Sequence, residues 1–191
     1  MFAAGVVVLL GIITAETLYP GYSTSAHQIS DLGATQPPNS IIVQPSATIF
    51  DSAMVVSGLL IAISAYFVHR AFGRRSFSIL LAAFGLGALG VGIFNGSYGN
   101  LHAIMALITF VGGGLSAVAS SRITKPPFSH FSAALGAITL LTLLQYFLLG
   151  ESSPFLVLGI GGLERWIAYP IVLWIIGFGG YLMGSSRPSG P

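Results

Sequence analysis

Six long apolar runs, separated by shorter polar segments, make up most of this chain. The hydrocarbon core of a bilayer, about 30 Å thick, requires about 20 apolar residues per helix. Each run approaches that length, and Gly and Pro residues lie at several of the boundaries. The pattern therefore predicts an all-α, polytopic membrane protein: a single domain, residues 1–191, folded as a six-transmembrane-helix bundle. The predicted spans are residues 1–18, 49–68, 76–94, 101–121, 131–149 and 166–183.

The longest polar segment, residues 19–48, separates the first two runs and begins YPGYSTSAHQISDLGA. Connections of this length without structure of their own are uncommon, so we expect a long structured first outer loop. Ser25 to Gln28 fits the capping box, which predicts a short helix after Ser25. Gly33 would end that helix in the left-handed conformation. His27 and Asp31, four residues apart, would then share one face.

Composition supports a lipid environment. Only 6% of residues are charged and 54% are hydrophobic, whereas soluble domains carry about 25% charged residues. A net charge of +2, scattered along the chain, gives no reason to expect a nucleic-acid partner. The absence of cysteine excludes disulfides and thiolate chemistry. The glycine pairs Gly92/Gly96 and Gly180/Gly184 fit G-x-x-x-G and predict close helix packing, within the bundle rather than between chains.

The basic residues predict the orientation of the bundle. With six spans, six of the 7 Lys and Arg residues fall on one side, which the positive-inside rule makes cytoplasmic. We therefore expect a multi-pass protein of the cell membrane with both termini in the cytoplasm. The exception is Arg165, beside Glu164 at the outer mouth of the last span. The six cytoplasmic residues are Arg70, Arg74, Arg75, Arg122, Lys125 and Arg187.

Candidate chemistry collects on the predicted outer face, which carries all 5 acidic residues. Ionisable side chains at membrane depth are costly and mark functional positions. His–carboxylate pairs are suited to proton transfer. The candidate catalytic residues are His27, Asp31, His102 and Glu164. The candidate ligand-binding residues are Tyr19, Ser30, Asp31, Asp51, Asn95, His102, Glu164, Arg165 and Tyr169.

Two of these residues require partners. The Asn95 amide, near the end of the third span, needs hydrogen bonds from a neighbouring helix, and His102 is expected close to it. Arg165, on the side opposite the other basic residues, is expected to bind Asp51, Asp31 or the phosphate of an anionic lipid.

The motifs in this arrangement resemble a known family. They are YPGYS and ISDLGA after the first run, IFD opening the second, Asn100 with LH before the fourth, and GLERWIAYP opening the last. The chain resembles a prokaryotic membrane family called domain of unknown function 998, with Phe94-Asn95 in place of the family's Phe-Pro pair. The resemblance implies a six-helix fold but no agreed activity. It also implies functional relevance for Tyr19, Pro20, Ser30, Asp31, Gly33, His102, Glu164, Arg165 and Pro170.

Three classes of function fit these residues. The first is a structural, accessory or lipid-binding membrane protein with a polar cluster at its outer face. The alternative is a membrane-embedded hydrolase or lipid-modifying enzyme at the outer leaflet, with His102 or His27 as acid–base group and a carboxylate orienting it. A small-molecule transporter ranks third, because an acidic residue in mid-membrane is missing and the nearest, Glu16, lies close to the outer end.

Membrane lipids are the expected partners, and a second membrane protein subunit is an alternative one. No cofactor is expected. Only His27 and His102 face outward, which is too few for a three-histidine zinc site. Zinc held by His27, His102 and Asp31 is kept as a lower-ranked alternative.

Overall fold

A computed structural model describes residues 1–185 of the chain. These residues form six α-helices with no β-strand among them. The helices are α1 (Phe2–Thr17), α2 (Ser46–Phe72), α3 (Arg75–Ile93), α4 (Asn100–Ser120), α5 (Phe128–Leu149) and α6 (Gly159–Ser185). Short 3₁₀ helices lie in the connections, at Ser30–Leu32, Gly96–Tyr98, Gly150–Ser152 and Pro154–Leu158.

Five of the six helices, α2 to α6, are long and apolar enough to cross a bilayer. These helices have the length and composition of a multi-pass membrane protein. α1 has 16 residues, which corresponds to about 24 Å of helix and is shorter than the hydrocarbon core. The sequence pattern counted α1 as a full span, and the sixth crossing stays a prediction.

Small residues bring neighbouring helices close together. Gly58 of α2 faces Gly85 of α3, and a Cβ atom at either position would lie within 2.5 Å of backbone on the other helix. Gly136 of α5 contacts the Gly114 carbonyl of α4 in the same way. Of the predicted glycine pairs, Gly92 makes such a contact, because a Cβ there would lie 2.5 Å from the Asp51 carbonyl of α2. Gly96 lies beyond α3 against the Ala34 carbonyl, and a Cβ at Gly180 or Gly184 would meet no atom of the described residues within 4 Å.

The apolar core lies between α1, α2, α3, α4 and α6. Trp174 and Phe178 of α6 are fully buried and stack on each other, with ring centroids 5.5 Å apart. Phe77 of α3 packs edge-on against Phe178. The Trp174 indole also donates a hydrogen bond to Ser120 at 2.9 Å, so that its one polar group is satisfied inside the core.

Several helix boundaries differ from the sequence prediction, the start of α6 most of all. α2 begins at Ser46 rather than at residue 49, and α6 begins at Gly159 rather than at residue 166. The adjacent charges of Glu164 and Arg165 suggested a loop before the last span. Both charges instead lie inside α6, because the first long loop supplies their hydrogen-bond partners.

The short helix predicted after Ser25 is wrong. Ser25 donates its hydroxyl to the Leu158 carbonyl at 2.8 Å instead of capping a helix. The only helical turn of this segment is the 3₁₀ helix Ser30–Leu32. Gly33 follows it with φ −82°, which is right-handed and not the predicted left-handed conformation.

The charged side chains lie at opposite ends of the bundle. One end, called here the acidic end, joins the C-terminus of α1 and the N-termini of α2, α4 and α6, and carries all five acidic residues. The other, the basic end, carries the connections from α2 to α3 and from α4 to α5, with Arg70, Arg74, Arg75, Arg122 and Lys125. Arg187 lies outside the described residues.

Candidate functional site

Arg165, in the second turn of α6, ties the first loop and α1 to the rest of the bundle. Its guanidinium forms an ion pair with Glu16 of α1 at 2.5 Å. It also donates to the Thr24 and His27 carbonyls at 2.8 and 3.2 Å, and to the Tyr22 hydroxyl at 2.8 Å. The predicted partners Asp51 and Asp31 are therefore not the ones that Arg165 uses; the carboxylate it binds is Glu16.

Tyr22 completes this group of side chains. Burial raises the pKa of the Tyr22 hydroxyl, against the opposing effect of Arg165. The hydroxyl therefore stays protonated and donates to the Gln28 carbonyl at 2.7 Å. The ring of His27 stacks on Tyr22 with centroids 5.3 Å apart, and its Nδ1 accepts from the Ser23 amide at 2.9 Å. His27 thus serves the local structure of the loop, beside Tyr19.

Glu164 holds the next part of the loop. Its side chain is buried, and one carboxylate oxygen accepts a hydrogen bond from the Ile29 amide. Glu164 and Arg165 are neighbours in sequence, yet they bind different groups of the loop. Glu164 accepts a hydrogen bond from a backbone amide, and Arg165 donates to backbone carbonyls. The two residues therefore hold the loop at two separate points and do not form a surface ion pair with each other.

Two aspartates lie at the same end of the bundle, Asp31 in the loop and Asp51 on α2. Asp31 accepts from the Gln28 amide at 2.8 Å, and burial raises the pKa of its carboxyl, with this amide opposing the rise. Asp51, in the second turn of α2, accepts from the Asn95 amide at 3.0 Å. Gly33 packs directly on this pair, because a Cβ at Gly33 would lie 2.4 Å from Asp51 Oδ1. Asn95 therefore has the inter-helix partner that the sequence predicted it would need.

His102, at the start of α4, is in a different situation. It is only 3% exposed. Nδ1 lies 2.7 Å from the Phe94 carbonyl, which can only accept, so Nδ1 carries a proton. Nε2 is buried and has no hydrogen-bond partner among the described residues. A buried polar atom without a partner is unusual and indicates a position that a ligand or water completes.

His102 lines a cavity in the centre of the bundle. This central cavity measures about 70 Å³. That is several times the volume needed for one water molecule. Its walls come from α1, α2, α3, α4 and α6 and are almost entirely apolar. Examples are Val8, Met54, Phe84, Ala88, Ala168 and Ile171. In the part of the chain that the structure describes, the ionisable groups that line the cavity are His102 and Glu164, with Ser30 beside them.

A second space adjoins the first. This lateral crevice, about 160 Å³, lies between the ends of α4, α5 and α6, with exposed Phe147 on its rim. His102, Glu164 and Ser30 line it as well, together with Ala106 and Phe110. These residues therefore form the boundary between the central cavity and the crevice.

The structure divides the predicted site residues into groups. Ser30, His102 and Glu164 meet at the cavity. Arg165 lies in the Glu16–Tyr22 group, Asp51 pairs with Asn95, and Tyr19 and Tyr169 pack against a buried apolar cluster. Within residues 1–185, no three His, Asp or Glu side chains are close enough to share a metal ion, so His27, His102 and Asp31 do not form the zinc site considered above.

Sequence reasoning missed three features of the site. Tyr22 was passed over because a tyrosine in a loop gives no signal of its own. The Phe94 carbonyl, which fixes the tautomer of His102, is a backbone group and has no sequence signature. The small residues Ala88 and Ala168, which leave room for the cavity, lie among many other alanines.

Helices that are long and apolar enough to cross a bilayer, packed around an internal cavity, define a polytopic membrane protein. The chain belongs to the family described as "Protein of unknown function (DUF998)", whose model matches residues 2–181. The resemblance drawn from the sequence motifs is thereby confirmed. No curated protein and no solved structure matches the chain.

Proposed function

We propose that this protein binds an amphiphilic molecule of the bilayer, with one polar group and an apolar body, inside the helix bundle. The observation that carries the proposal is the central cavity, whose lining is mostly apolar and includes the ionisable groups of His102 and Glu164 together with Ser30. Apolar cavities exclude water and accept apolar guests. Ligand sites are typically of this kind, with a few polar groups that orient the ligand.

The lateral crevice supports access from the lipid. It lies between α4, α5 and α6 and shares His102 and Glu164 with the central cavity. Its rim carries exposed Phe147, a side chain compatible with acyl chains. A ligand arriving from the bilayer would reach His102 without crossing the loop that covers the acidic end.

We place the acidic end on the outer face of the cell membrane and both termini in the cytoplasm. The exposed arginines at the other end, such as Arg74, Arg75 and Arg122, support this orientation through the positive-inside rule. The buried Arg165 does not count against it, because its charge is paired inside the protein with Glu16. In this orientation the site would accept lipids of the outer leaflet.

Native mass spectrometry of the protein released from mild detergent tests binding. We expect the parent to carry an amphiphile from the membrane. Ala88→Leu, which fills the cavity from α3, should lose it. Ala134→Leu is the matched control, because Ala134 is exposed on α5. A parent protein that carries no amphiphile, and takes none up when bilayer lipids are added, would contradict the proposal.

One observation favours a second function, a membrane-embedded hydrolase or lipid-modifying enzyme. His102 has the arrangement of a general base: Nδ1–H is fixed by a carbonyl and Nε2 is free. Incubation of the protein with extracted bilayer lipids tests this function. Time-dependent formation of a product by the parent but not by His102→Phe would support an enzyme, and no product from the parent would exclude it for those lipids.

A further inference from the structure

The polar groups around the central cavity indicate which chemical group the ligand presents to them. Five polar residues line the cavity: Ser30, Ser57, His102, Thr109 and Glu164. Two of them are already satisfied by the helices, because Ser57 donates to the Ala4 carbonyl at 3.0 Å and Thr109 to the Met105 carbonyl at 2.8 Å. The ligand therefore meets His102, Glu164 and Ser30 only.

His102 offers an acceptor to this ligand. Its Nδ1–H is used by the Phe94 carbonyl, so in the neutral ring Nε2 carries a lone pair. Nε2 is buried and has no hydrogen-bond partner within residues 1–185, in a residue that is only 3% exposed. The carboxylate of Glu164 is also an acceptor, and one of its oxygens already takes the Ile29 amide. The site is thus built to receive a hydrogen-bond donor.

Among residues 1–185, no Lys or Arg lines the central cavity or the lateral crevice. Arg165 is the nearest basic residue in sequence, but its guanidinium is directed to Glu16, Tyr22 and carbonyls of the loop, and it lines neither the cavity nor the crevice. A phosphate or carboxylate headgroup would therefore lie beside Glu164 without a counter-charge. Burying an unpaired charge in apolar surroundings is strongly unfavourable. Anionic lipids and fatty acids do not fit this site.

A protonated amine fits less well than a hydroxyl. An ammonium group carries three donors and requires three acceptors when it is buried. The site offers Nε2 of His102 and the part of the Glu164 carboxylate that the Ile29 amide leaves free. A hydroxyl has one donor, which Nε2 satisfies, and its oxygen can accept in turn from Ser30.

We infer that the ligand is an uncharged long-chain or isoprenoid alcohol whose hydroxyl donates to His102 Nε2, with its chain in the apolar cavity. This inference rests on the proposed function and specifies the ligand class for the same site. It makes His102 the specificity-determining residue and Glu164 a residue that excludes anions.

Chain-matched probes test the headgroup directly. Tetradecanol, tetradecanoate, tetradecylamine and tetradecyl phosphate are titrated into the parent in lipid nanodiscs, and occupancy is counted by native mass spectrometry. We expect tetradecanol to bind about tenfold or more tightly than the other three, the usual effect of one buried hydrogen bond or of an unpaired charge. In protein with ¹⁵N-labelled histidine, tetradecanol should shift the Nε2 resonance of His102 and leave that of exposed His130 unchanged.

Two variants sharpen the result. His102→Phe should reduce the preference for tetradecanol over tetradecylamine to about one, and Ala88→Leu should weaken binding of all probes. If all four probes bound the parent equally and binding were lost in Ala88→Leu, the inference that the ligand is an alcohol would be overturned. The proposed function would remain intact. Tighter binding of the amine, the phosphate or the carboxylate than of tetradecanol would also overturn the inference that the ligand is an alcohol. Absence of saturable binding by any probe would overturn both.

Discussion

The acidic and basic ends of the bundle use charge in opposite ways. At the acidic end, Arg165 and Glu16 are largely buried and bind each other at 2.5 Å, with side-chain exposures of 11% and 17%. At the basic end, Arg74 and Arg122 are exposed and line an open crevice of about 570 Å³. Within residues 1–185, the crevice has no acidic residue among its lining groups.

This difference separates charges that hold the fold together from charges that face the surroundings. The buried guanidinium of Arg165 connects α6 with α1 and the loop, so its loss leaves several polar groups unsatisfied. The guanidinium of Arg122 is exposed and forms no ion pair within residues 1–185. Four predictions test this contrast, in order of decreasing effect on stability.

The largest effect is expected from Arg165→Met. The substitution removes the ion pair and leaves Glu16 and the loop carbonyls without a partner. Breaking a buried pair from one side costs about 3–5 kcal/mol. The free energy of unfolding in mixed micelles measures the loss. Arg122→Met is the control, and its effect should stay within about 0.5 kcal/mol, as for exposed positions generally. Equal losses in the two variants would contradict the contrast.

A smaller loss is expected from Gly33→Ala. The added Cβ would lie 2.4 Å from Asp51 Oδ1 and 3.1 Å from the Phe50 ring, so the loop must move away from α2. Overpacking of this kind costs about 1–3 kcal/mol. The matched control is Gly180→Ala, near the basic end of α6, where no atom lies within 4 Å.

The change in the free energy of unfolding should differ in sign between the two glycine substitutions. Gly180→Ala should be neutral or stabilising by up to about 1 kcal/mol, because alanine favours a helix more than glycine does. A destabilising Gly180→Ala would mean that the G-x-x-x-G pair at Gly180 and Gly184 packs against something in the membrane, and would favour contact between chains.

The third prediction concerns pH. Burial raises the pKa of Asp31 above its ordinary value of 3.8, although His27 and His102 attract the charged form. Between the ordinary and the raised pKa, the folded protein holds a proton that the unfolded chain has lost. The resulting stability is fully present below 3.8 and is lost as pH rises through the raised pKa.

Asp31→Asn lacks this proton and should therefore gain stability relative to the parent as pH rises, by at most about 1.4 kcal/mol per pH unit within the window. Unfolding midpoints from about pH 4 to pH 8 measure the difference between the two proteins. Glu151→Gln is the control, because Glu151 is exposed at the same end of the bundle. A constant difference between parent and Asp31→Asn across this range would show that Asp31 ionises as in water.

The contrast between the ends also shows how far the sequence could predict this molecule. Helices follow from the length of apolar runs, which is a local property, and all six were found with shifted boundaries. The separation of acidic and basic residues to opposite ends of the bundle also follows, because the number of helices between two connections decides whether they lie at the same end. The pairing Arg165–Glu16 joins positions 149 residues apart, and nothing in the neighbourhood of either residue specifies the other.

The helix predicted after Ser25 was wrong for the same reason, a long-range contact that the local sequence does not specify. The capping box is a local signal, but the Ser25 hydroxyl donates to the carbonyl of Leu158, 133 residues away in sequence. Long-range hydrogen bonds therefore override local propensity in this loop. His102 was predicted as a site residue from its type and depth, whereas its tautomer and its free Nε2 depend on a carbonyl of the preceding connection.

The last prediction concerns orientation and should leave stability almost unchanged. The chain has no cysteine, so single cysteines can be labelled without background. Asn39→Cys lies in the exposed part of the first loop at the acidic end, and Ser76→Cys is exposed at the basic end without removing any arginine. On intact cells, a membrane-impermeant maleimide should label position 39 and should reach position 76 only after permeabilisation. Both positions should label equally in detergent, which controls for reactivity. The reverse pattern on intact cells would turn the bundle over, so that the His102 cavity would open toward the inner leaflet and the exposed arginines would face outward.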